Sequence, residues 1–277
     1  MISSFIIAIR ETLEAALIVG IILSYLVKTK QTKYNNIIYI GVVSGITTSI
    51  IGALLFTHIA GGFTGRTEKI FEGITMLIGA SLLTTMILWM MKQKHVSSEL
   101  EHKVATELSK AHKFGLFSLV FIAVLREGIE MVIFLGATSF ISTNNTLIGA
   151  LAGIITAIFT GYAIFVSSIK INIKMFFNIT SILLILFAAG LVAYAVHEFQ
   201  ETKIIPTIVE HIWDINPPIN PDGSYTILHE KGYIGSILKS LFGYNGDPSL
   251  IEVLSYLVYL VLVFVLWRNI EKVHKVI

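Results

Sequence analysis

The chain contains no cysteine among its 277 residues. Without thiols it cannot form disulfides, thiolate metal sites or cysteine-ligated iron–sulfur clusters. Any metal bound by these side chains must therefore be held by oxygen or imidazole ligands. Charge is also scarce, because 14% of the residues are charged and 55% are hydrophobic, whereas about 25% are charged in an ordinary soluble domain. This composition predicts a polytopic membrane protein.

Several functional motifs are missing as well. No Walker motif occurs, so ATP is not the direct energy source. No His-Glu-x-x-His pattern is present, and of the eight histidines only His58 and His197 touch apolar runs, which argues against a haem ligated within the membrane. We expect no resident cofactor and no nucleic-acid partner. The first apolar run has no basic segment before it, so we interpret it as a mature helix and not as a removed signal peptide.

Seven apolar runs are long enough to cross a bilayer, which takes about 20 residues. They cover about 3–27, 37–59, 70–91, 114–141, 147–169, 175–199 and 249–268. Lysine and arginine are concentrated in the first, third and fifth connections and in the C-terminal tail. The positive-inside rule then predicts an N-terminus outside and a C-terminus inside, with Trp89 at the inner interface. The predicted fold is an all-α membrane protein with seven transmembrane helices.

The first three helices resemble the next three. Ile40-Gly41 matches Ile148-Gly149, and Ile74-Thr75 matches Ile179-Thr180. Because three is an odd number, the two copies enter the membrane in opposite directions, a common plan for secondary transporters. We therefore predict two inverted three-helix repeats and a seventh helix outside the repeat. The predicted segments are a first repeat (1–91), a cytoplasmic loop (92–113), a second repeat (114–199), an extracytoplasmic cap (200–248) and the seventh helix with its tail (249–277).

Two connections have distinctive compositions. The cap contains all five prolines and is expected to be irregular, with short helices at 204–213 and 234–242. His211 and Asp214 in the cap are three residues apart. One interpretation is a weak capture site, but a chance surface pair is the favoured interpretation. The loop after the third helix is expected to form a short amphipathic helix with a serine cap.

Two charged motifs interrupt the apolar runs. They read Arg10-Glu11-Thr12-Leu13-Glu14 and Arg126-Glu127-Gly128-Ile129-Glu130. A charge at mid-bilayer costs roughly 2.5–3.5 kcal/mol even on the lenient insertion scale. In a helix the two glutamates of each motif share a face, and the arginine lies one turn from the second glutamate.

One arginine and two glutamates leave each motif with a formal charge of −1. Two facing motifs would form an oxygen-rich site suited to a hard or borderline cation. The alternative is a pair of structural Arg–Glu bridges that lock the two helices together. One glutamate would suffice for each bridge, so the second glutamate favours a translocated cation. The predicted metal ligands are Glu11, Glu14, Glu127 and Glu130, with Arg10 and Arg126 balancing their charge.

Further acidic residues occur near the predicted outer surface. Glu72 lies inside the third apolar run and is predicted to be an additional metal ligand. An outer mouth that captures cations is predicted from Glu68, His197, Glu198 and Glu201. The alternative is that these are ordinary helix-end residues, because acidic side chains suit a helix N-terminus. We interpret Met90, Met91 and Met131 as packing residues.

The paired motifs, in the first and fourth of seven helices, resemble the oxidase-dependent iron permease family. The stretch Phe187-Ala188-Ala189-Gly190-Leu191 leading to His197-Glu198 is similar to that family's sixth helix, and Glu72-Gly73-Ile74 to Trp89 is similar to its third. The resemblance implies that the substrate is iron, that transport is inward across the cell membrane, and that the motif residues line the pathway. It also implies an oxidase or an extracytoplasmic iron-handling protein as a partner, and a homo-oligomer is compatible with it.

Several alternatives stay open at this point. The ion is Fe²⁺ or Fe³⁺, and another divalent metal such as lead or manganese would also suit oxygen ligands. A proton-conducting or redox subunit would use the carboxylates as a proton relay and would bind haem, flavin or quinone. A purely structural subunit would use the motifs only to lock helices.

Overall fold

A helix is present at each of the seven predicted positions. The computed structural model describes residues 1–92, 100, 102–106, 113–141, 146–165, 173–218 and 225–276, and within these ranges there is no β-strand. The helices are α1 (Ile2–Lys28), α2 (Asn35–Ala60), α3 (Arg66–Lys92), α4 (Lys113–Ile141), α5 (Thr146–Phe165), α6 (Ile173–Glu201), α7 (Tyr233–Phe242) and α8 (Leu250–Val276). The protein is therefore all-α over its described residues, as the hydropathy pattern predicts.

Five of these helices are long and apolar enough to cross a membrane. Within the described residues they are α2, α3, α5, α6 and α8. α1 and α4 are just as long, with 27 and 29 residues, but each carries the three charges of one motif in its apolar sequence. The chain is therefore an integral membrane protein, and the motif charges of α1 and α4 lie within otherwise apolar stretches.

The helices pack in a crossed pattern. α1 packs mainly against α5, α2 against α4, and α3 against α6, while α1 and α4 also contact each other. Glycines allow the close contacts: Gly45 of α2 lies against Val124 of α4, and Gly153 of α5 lies against Ala8 of α1. A side chain on either glycine would overlap its neighbour, so these contacts require a residue without a Cβ atom.

The core lies around α3 and α6. Met76 and Leu83 of α3, Leu184 and Leu191 of α6, and Phe134 of α4 are almost fully buried in one apolar cluster. α2, α5 and α8 instead expose most of their apolar side chains on the outside of the bundle. Exposed apolar side chains on long helices are expected where the neighbour is lipid and not water.

The cap contains one of the two helices predicted for it. The helix expected at 234–242 is confirmed as α7, but the helix expected at 204–213 is wrong. α6 ends at Glu201, Lys203 just beyond it has a left-handed conformation (φ 59°), and Pro206 lacks the N–H that a helix interior needs. The backbone of this stretch bonds instead to the returning chain, with the Ile212 N–H donating to the Pro248 carbonyl at 3.1 Å.

α7 packs into the helix bundle. It contacts α6 most extensively and also α1 and α4. Gly243, which ends α7 with φ 67°, lies directly against Gly190 of α6. Gly190 is 11 residues before Glu201 at the end of α6, which is roughly 16 Å along the helix. The C-terminal end of α7 is therefore anchored well inside the length of α6.

Two smaller predictions concern the connections. His211 does not pair with Asp214, because its Nδ1 atom lies 2.6 Å from Oδ1 of Asp247, while Asp214 accepts a hydrogen bond from the Asn216 backbone. In the loop after α3, residues 100 and 102–106 are helical. The serine cap and the rest of that predicted amphipathic helix lie outside the described residues.

The His211–Asp247 pair makes the cap sensitive to pH. The hydrogen bond to Asp247 raises the pKa of His211 above its ordinary value of 6.5. Because the folded-state pKa is raised, the pair's contribution is complete below the ordinary pKa and is lost as pH rises through the raised value. We expect a titration of ring-labelled histidine by NMR to place the His211 midpoint above 6.5. Asp247→Asn should return it towards 6.5, and an unchanged midpoint would contradict the pairing.

The glycine contacts predict unequal effects for two substitutions on α2. Gly45→Leu should destabilise the protein by about 1–3 kcal/mol, because the new side chain overlaps Val124 in a packed interface. Gly52→Leu is the matched control, since no described atom lies within 4 Å of a Cβ added there. Thermal unfolding of the purified variants in detergent measures the difference. Equal unfolding temperatures for the two variants would show that α2 and α4 do not pack in this way.

Candidate metal-transport site

The two motifs meet where α1 and α4 pack together. Both motifs lie in uninterrupted α-helix, so the i, i+3 spacing places both glutamates of each motif on one face. Carboxylate oxygens of Glu11, Glu14 and Glu127 lie within 4.8 Å of one another. Glu130 interacts electrostatically with all three. The structure therefore brings the four predicted ligands of the motifs into one cluster.

This cluster is removed from solvent. Glu11 is completely buried, Glu127 is 3% exposed and Glu130 is 8% exposed. The Glu14 side chain is 11% exposed. Carboxylates this close repel each other strongly in a medium of low dielectric constant, so the arrangement requires positive charge nearby.

Two arginines supply part of that charge. Arg10 Nε lies 3.2 Å from Glu14 Oε1, and Arg126 Nε lies 2.8 Å from Glu130 Oε1. Each of these ion pairs joins residues four apart on one helix. Arg10 also lies 3.5 Å from Glu11 and Arg126 lies 4.0 Å from Glu127. The two guanidinium groups leave the six motif residues with a formal charge of −2.

The carboxylates retain unused acceptor atoms. Over the described residues, one buried oxygen of each glutamate has no hydrogen-bond partner: Glu11 Oε2, Glu14 Oε1, Glu127 Oε2 and Glu130 Oε2. Glu14 Oε1 is paired with Arg10 only by charge, without hydrogen-bond geometry. Buried acceptors without donors are costly, and oxygen atoms with negative charge are the ligands that hard cations prefer. The site can therefore accept a cation between α1 and α4.

Comparison with known proteins identifies the family of this chain. The profile of the iron permease FTR1 family matches residues 1–274. The chain belongs to this family. The family is one of permeases, so the protein is a transporter. No solved structure matches the chain.

Two relatives show how far this similarity extends. The chain is 32% identical over 261 residues to a protein of Escherichia coli O6:H1 named ferrous iron permease EfeU, covering 93% of this chain and 91% of the relative. It is also 32% identical over 267 residues to a Yersinia pestis protein of the same name, covering 95% and 92%. The similarity to FTR1-family permeases therefore runs through the cap as well as the helices.

Glu72 lies apart from the four-carboxylate cluster of this FTR1-family protein. Its charged neighbours are Glu198, Glu68 and Lys69. On α3 it is 17 residues from Trp89, roughly 25 Å along the helix, and Trp89 contacts Arg126. The proposed role of Glu72 as an additional ligand stays a prediction, but it would act at another level of the bundle.

The predicted outer-mouth residues are divided between two groups. Glu68 and Glu198 lie near Glu72, and the three residues form one acidic group. His197 and Glu201 instead have partners: Lys69 forms an ion pair with Glu201, and His197 Nε2 lies 3.2 Å from Glu201 Oε1. Capture of cations by these groups stays a prediction.

A buried glutamate that the sequence analysis did not single out explains the position of His197. Glu252, 3% exposed at the start of α8, has its Oε1 3.0 Å from Nδ1 of His197. Its Oε2 accepts a hydrogen bond from Asn245 at 2.8 Å. Ser249 and Glu252 also cap α8, since each side chain accepts a hydrogen bond from the other's backbone N–H. The Ser-x-x-Glu spacing of a capping box is visible in the sequence and identifies this residue.

The end of α3 holds two more residues that the sequence analysis assigned elsewhere. Met90 Sδ accepts a hydrogen bond from Arg10 Nη2 at 2.9 Å. The Trp89 ring lies 5.1 Å from the guanidinium carbon of Arg126. No sequence pattern identifies these contacts, because they depend on how far α3 is shifted along α1 and α4.

The burial of the two arginines predicts unequal effects of removing them. Arg10 is completely buried, whereas the Arg126 side chain is 44% exposed. Breaking a buried ion pair costs about 3–5 kcal/mol, because a charge is left without a partner. We expect Arg10→Gln to lower the unfolding temperature more than Arg126→Gln. Adding Glu14→Gln to Arg10→Gln should recover part of the loss.

Thermal unfolding of the purified variants in detergent, at one pH, provides this measurement. Equal losses for the two single variants, or no recovery in the double variant, would contradict the charge balance described above.

Proposed function

We propose that this protein is an iron permease of the cell membrane that imports iron through the four carboxylates of its paired motifs. The observation that carries the proposal is the cluster itself. Glu11, Glu14, Glu127 and Glu130 come together between α1 and α4, and each keeps a buried oxygen without a hydrogen-bond donor. Membership of the FTR1 family supports iron as the ion.

We propose Fe²⁺ as the transported form. The formal charge of the six motif residues is −2, which one divalent ion balances. Both relatives described above carry the name ferrous iron permease. All ligands are carboxylates, which also suit Mn²⁺, so competition by other divalent metals belongs in any transport assay.

The proposed architecture has seven spans, with the N-terminus outside and the C-terminus inside. The distribution of lysine and arginine supports the orientation, and the length of α1 and α4 supports their spanning the membrane despite the motifs. On this view the motif charges lie close to mid-membrane, where secondary transporters with inverted repeats place their substrate.

The glycine contacts support the proposed repeat. Gly45 faces Val124 Cβ and the backbone nitrogen of Leu125, and Gly153 faces Ala8 Cβ and the backbone nitrogen of Ile9. Shifting Gly45 by 108 positions, as the second-helix match requires, gives Gly153. Shifting Ala8 and Ile9 by 116 positions, as the motif match requires, gives the other two neighbours. A duplicated unit produces such equivalent contacts.

Replacing single carboxylates tests the proposal. Glu→Gln at positions 11, 14, 127 and 130 keeps the side-chain volume and removes one negative charge and one ligand oxygen. We expect each variant to lose at least about tenfold in iron uptake by cells, because a lost charged contact is worth about that factor. Uptake of ⁵⁵Fe, normalised to the amount of protein in the membrane, is the measurement.

Glu210→Gln is the matched control, since Glu210 is an exposed residue of the cap. It should transport at the parent rate. Uptake near the parent level in all four motif variants would leave only a structural role for the motifs. A visible spectrum of the purified protein with haem or flavin bands would favour a redox subunit.

A further inference from the structure

Trp89 and Met90 are neighbours in sequence, and each contacts the arginine of a different motif. Met90 Sδ lies 2.9 Å from Nη2 of Arg10. The Trp89 ring lies 5.1 Å from the guanidinium carbon of Arg126. Both residues belong to the last turns of α3, so one helix end touches the charge-balancing group of both motifs.

These contacts use parts of the guanidinium groups that the glutamates leave free. Arg10 Nε lies 3.2 Å from Glu14 as an ion pair, Nη1 donates to Glu11 at 3.5 Å, and Met90 accepts from Nη2. Arg126 directs Nε to Glu130 and presents its planar face to Trp89. Each arginine is therefore held from two directions.

Both partners on α3 are electrically neutral, and their neutrality matters for the charge of the site. A carboxylate at either place would cancel the charge of the arginine. A thioether sulfur accepts a hydrogen bond weakly, and an aromatic face attracts a cation through its quadrupole. Either one restrains the guanidinium group and leaves its full positive charge available to the motif glutamates.

We propose that Trp89 and Met90 are positioning residues that hold the two arginines beside the carboxylates and off the oxygens that face the ion. Without them each guanidinium group is free to turn onto the unused oxygens of Glu11, Glu14, Glu127 and Glu130, and it then competes with iron for the same atoms. This inference rests on the proposed function, because it assigns the carboxylates to the ion.

The two contacts are not equivalent. Arg10 is completely buried, so water cannot replace the sulfur of Met90. The Arg126 side chain is 44% exposed, so it is less enclosed by the protein and has more room to adjust when the ring is removed. Loss of Met90 should therefore have the larger effect on iron binding.

The test compares iron uptake at increasing external iron concentration for four variants. Met90→Leu removes the acceptor at similar volume, and Met90→Gln restores an acceptor. Trp89→Leu removes the ring, and Trp89→Phe keeps one. We expect the half-saturating iron concentration to rise about tenfold in Met90→Leu and about threefold in Trp89→Leu. Met90→Gln and Trp89→Phe should stay close to the parent protein, with maximal rates per molecule little changed throughout.

Met86→Leu is the matched control for the methionine change. Met86 lies one turn earlier on α3 and is buried in the apolar core. A general packing defect would affect both methionine variants alike and would lower the amount of protein or the maximal rate. Anaerobic titration of the purified proteins with Fe²⁺ gives a second readout, and its dissociation constant should rise by the same factor as the half-saturating concentration.

Two results would overturn the inference. One is a half-saturating concentration in Met90→Leu equal to that of Met86→Leu. The other is a Met90→Gln variant as impaired as Met90→Leu, which would show that the acceptor is irrelevant. Failure of the proposed function would give a different result. All four motif Glu→Gln variants would then transport iron normally, independently of the result for the Met90 variants.

Discussion

Four buried carboxylates that interact electrostatically with one another, three of them within 4.8 Å, are the constraint on which this structure depends. Each pair of them repels, and burial removes the water that would screen the repulsion. The two arginines offset only half of the formal charge. The protein therefore has to hold together a buried site whose negative charge is only partly balanced. The surrounding helices must provide the rigidity that this requires.

The packing of the bundle provides that rigidity. The motif helices α1 and α4 are each covered by a helix of the opposite half, and glycines bring the backbones close enough for continuous contact. Close packing of helices through small residues is the usual source of stability where no hydrophobic effect acts between helices. In this protein the glycine contacts hold each motif helix against a neighbouring helix, α2 against α4 and α5 against α1.

The sequence predicted the positions of the long helices and the approach of the four motif glutamates to one another. Apolar runs of about 20 residues identify seven helices because little else has that length and composition. The grouping of the motif glutamates could be predicted because helical periodicity fixes which residues share a face. Glu72 shows the limit: its face was predictable, but its level along the bundle depends on the stagger between α3 and the motif helices.

Contacts between helices distant in sequence explain the remaining differences. Met90 and Trp89 meet the arginines only because α3 ends at the level of the motifs, and no local pattern encodes that. The helix expected at 204–213 is absent because Pro206 and the returning chain at Pro248 outweigh local propensity. Glu252 was within reach of sequence reasoning, since its capping box is a local pattern.

The unequal exposure of the two arginines gives two nearly identical motifs different surroundings. The two motifs are almost the same in sequence, and yet Arg10 is enclosed by the protein while the Arg126 side chain is 44% exposed. A cation placed between them would therefore have a more enclosed guanidinium group on one side than on the other. Vectorial transport does not require the two halves to differ in their charged residues, because a difference in what surrounds each of them is sufficient.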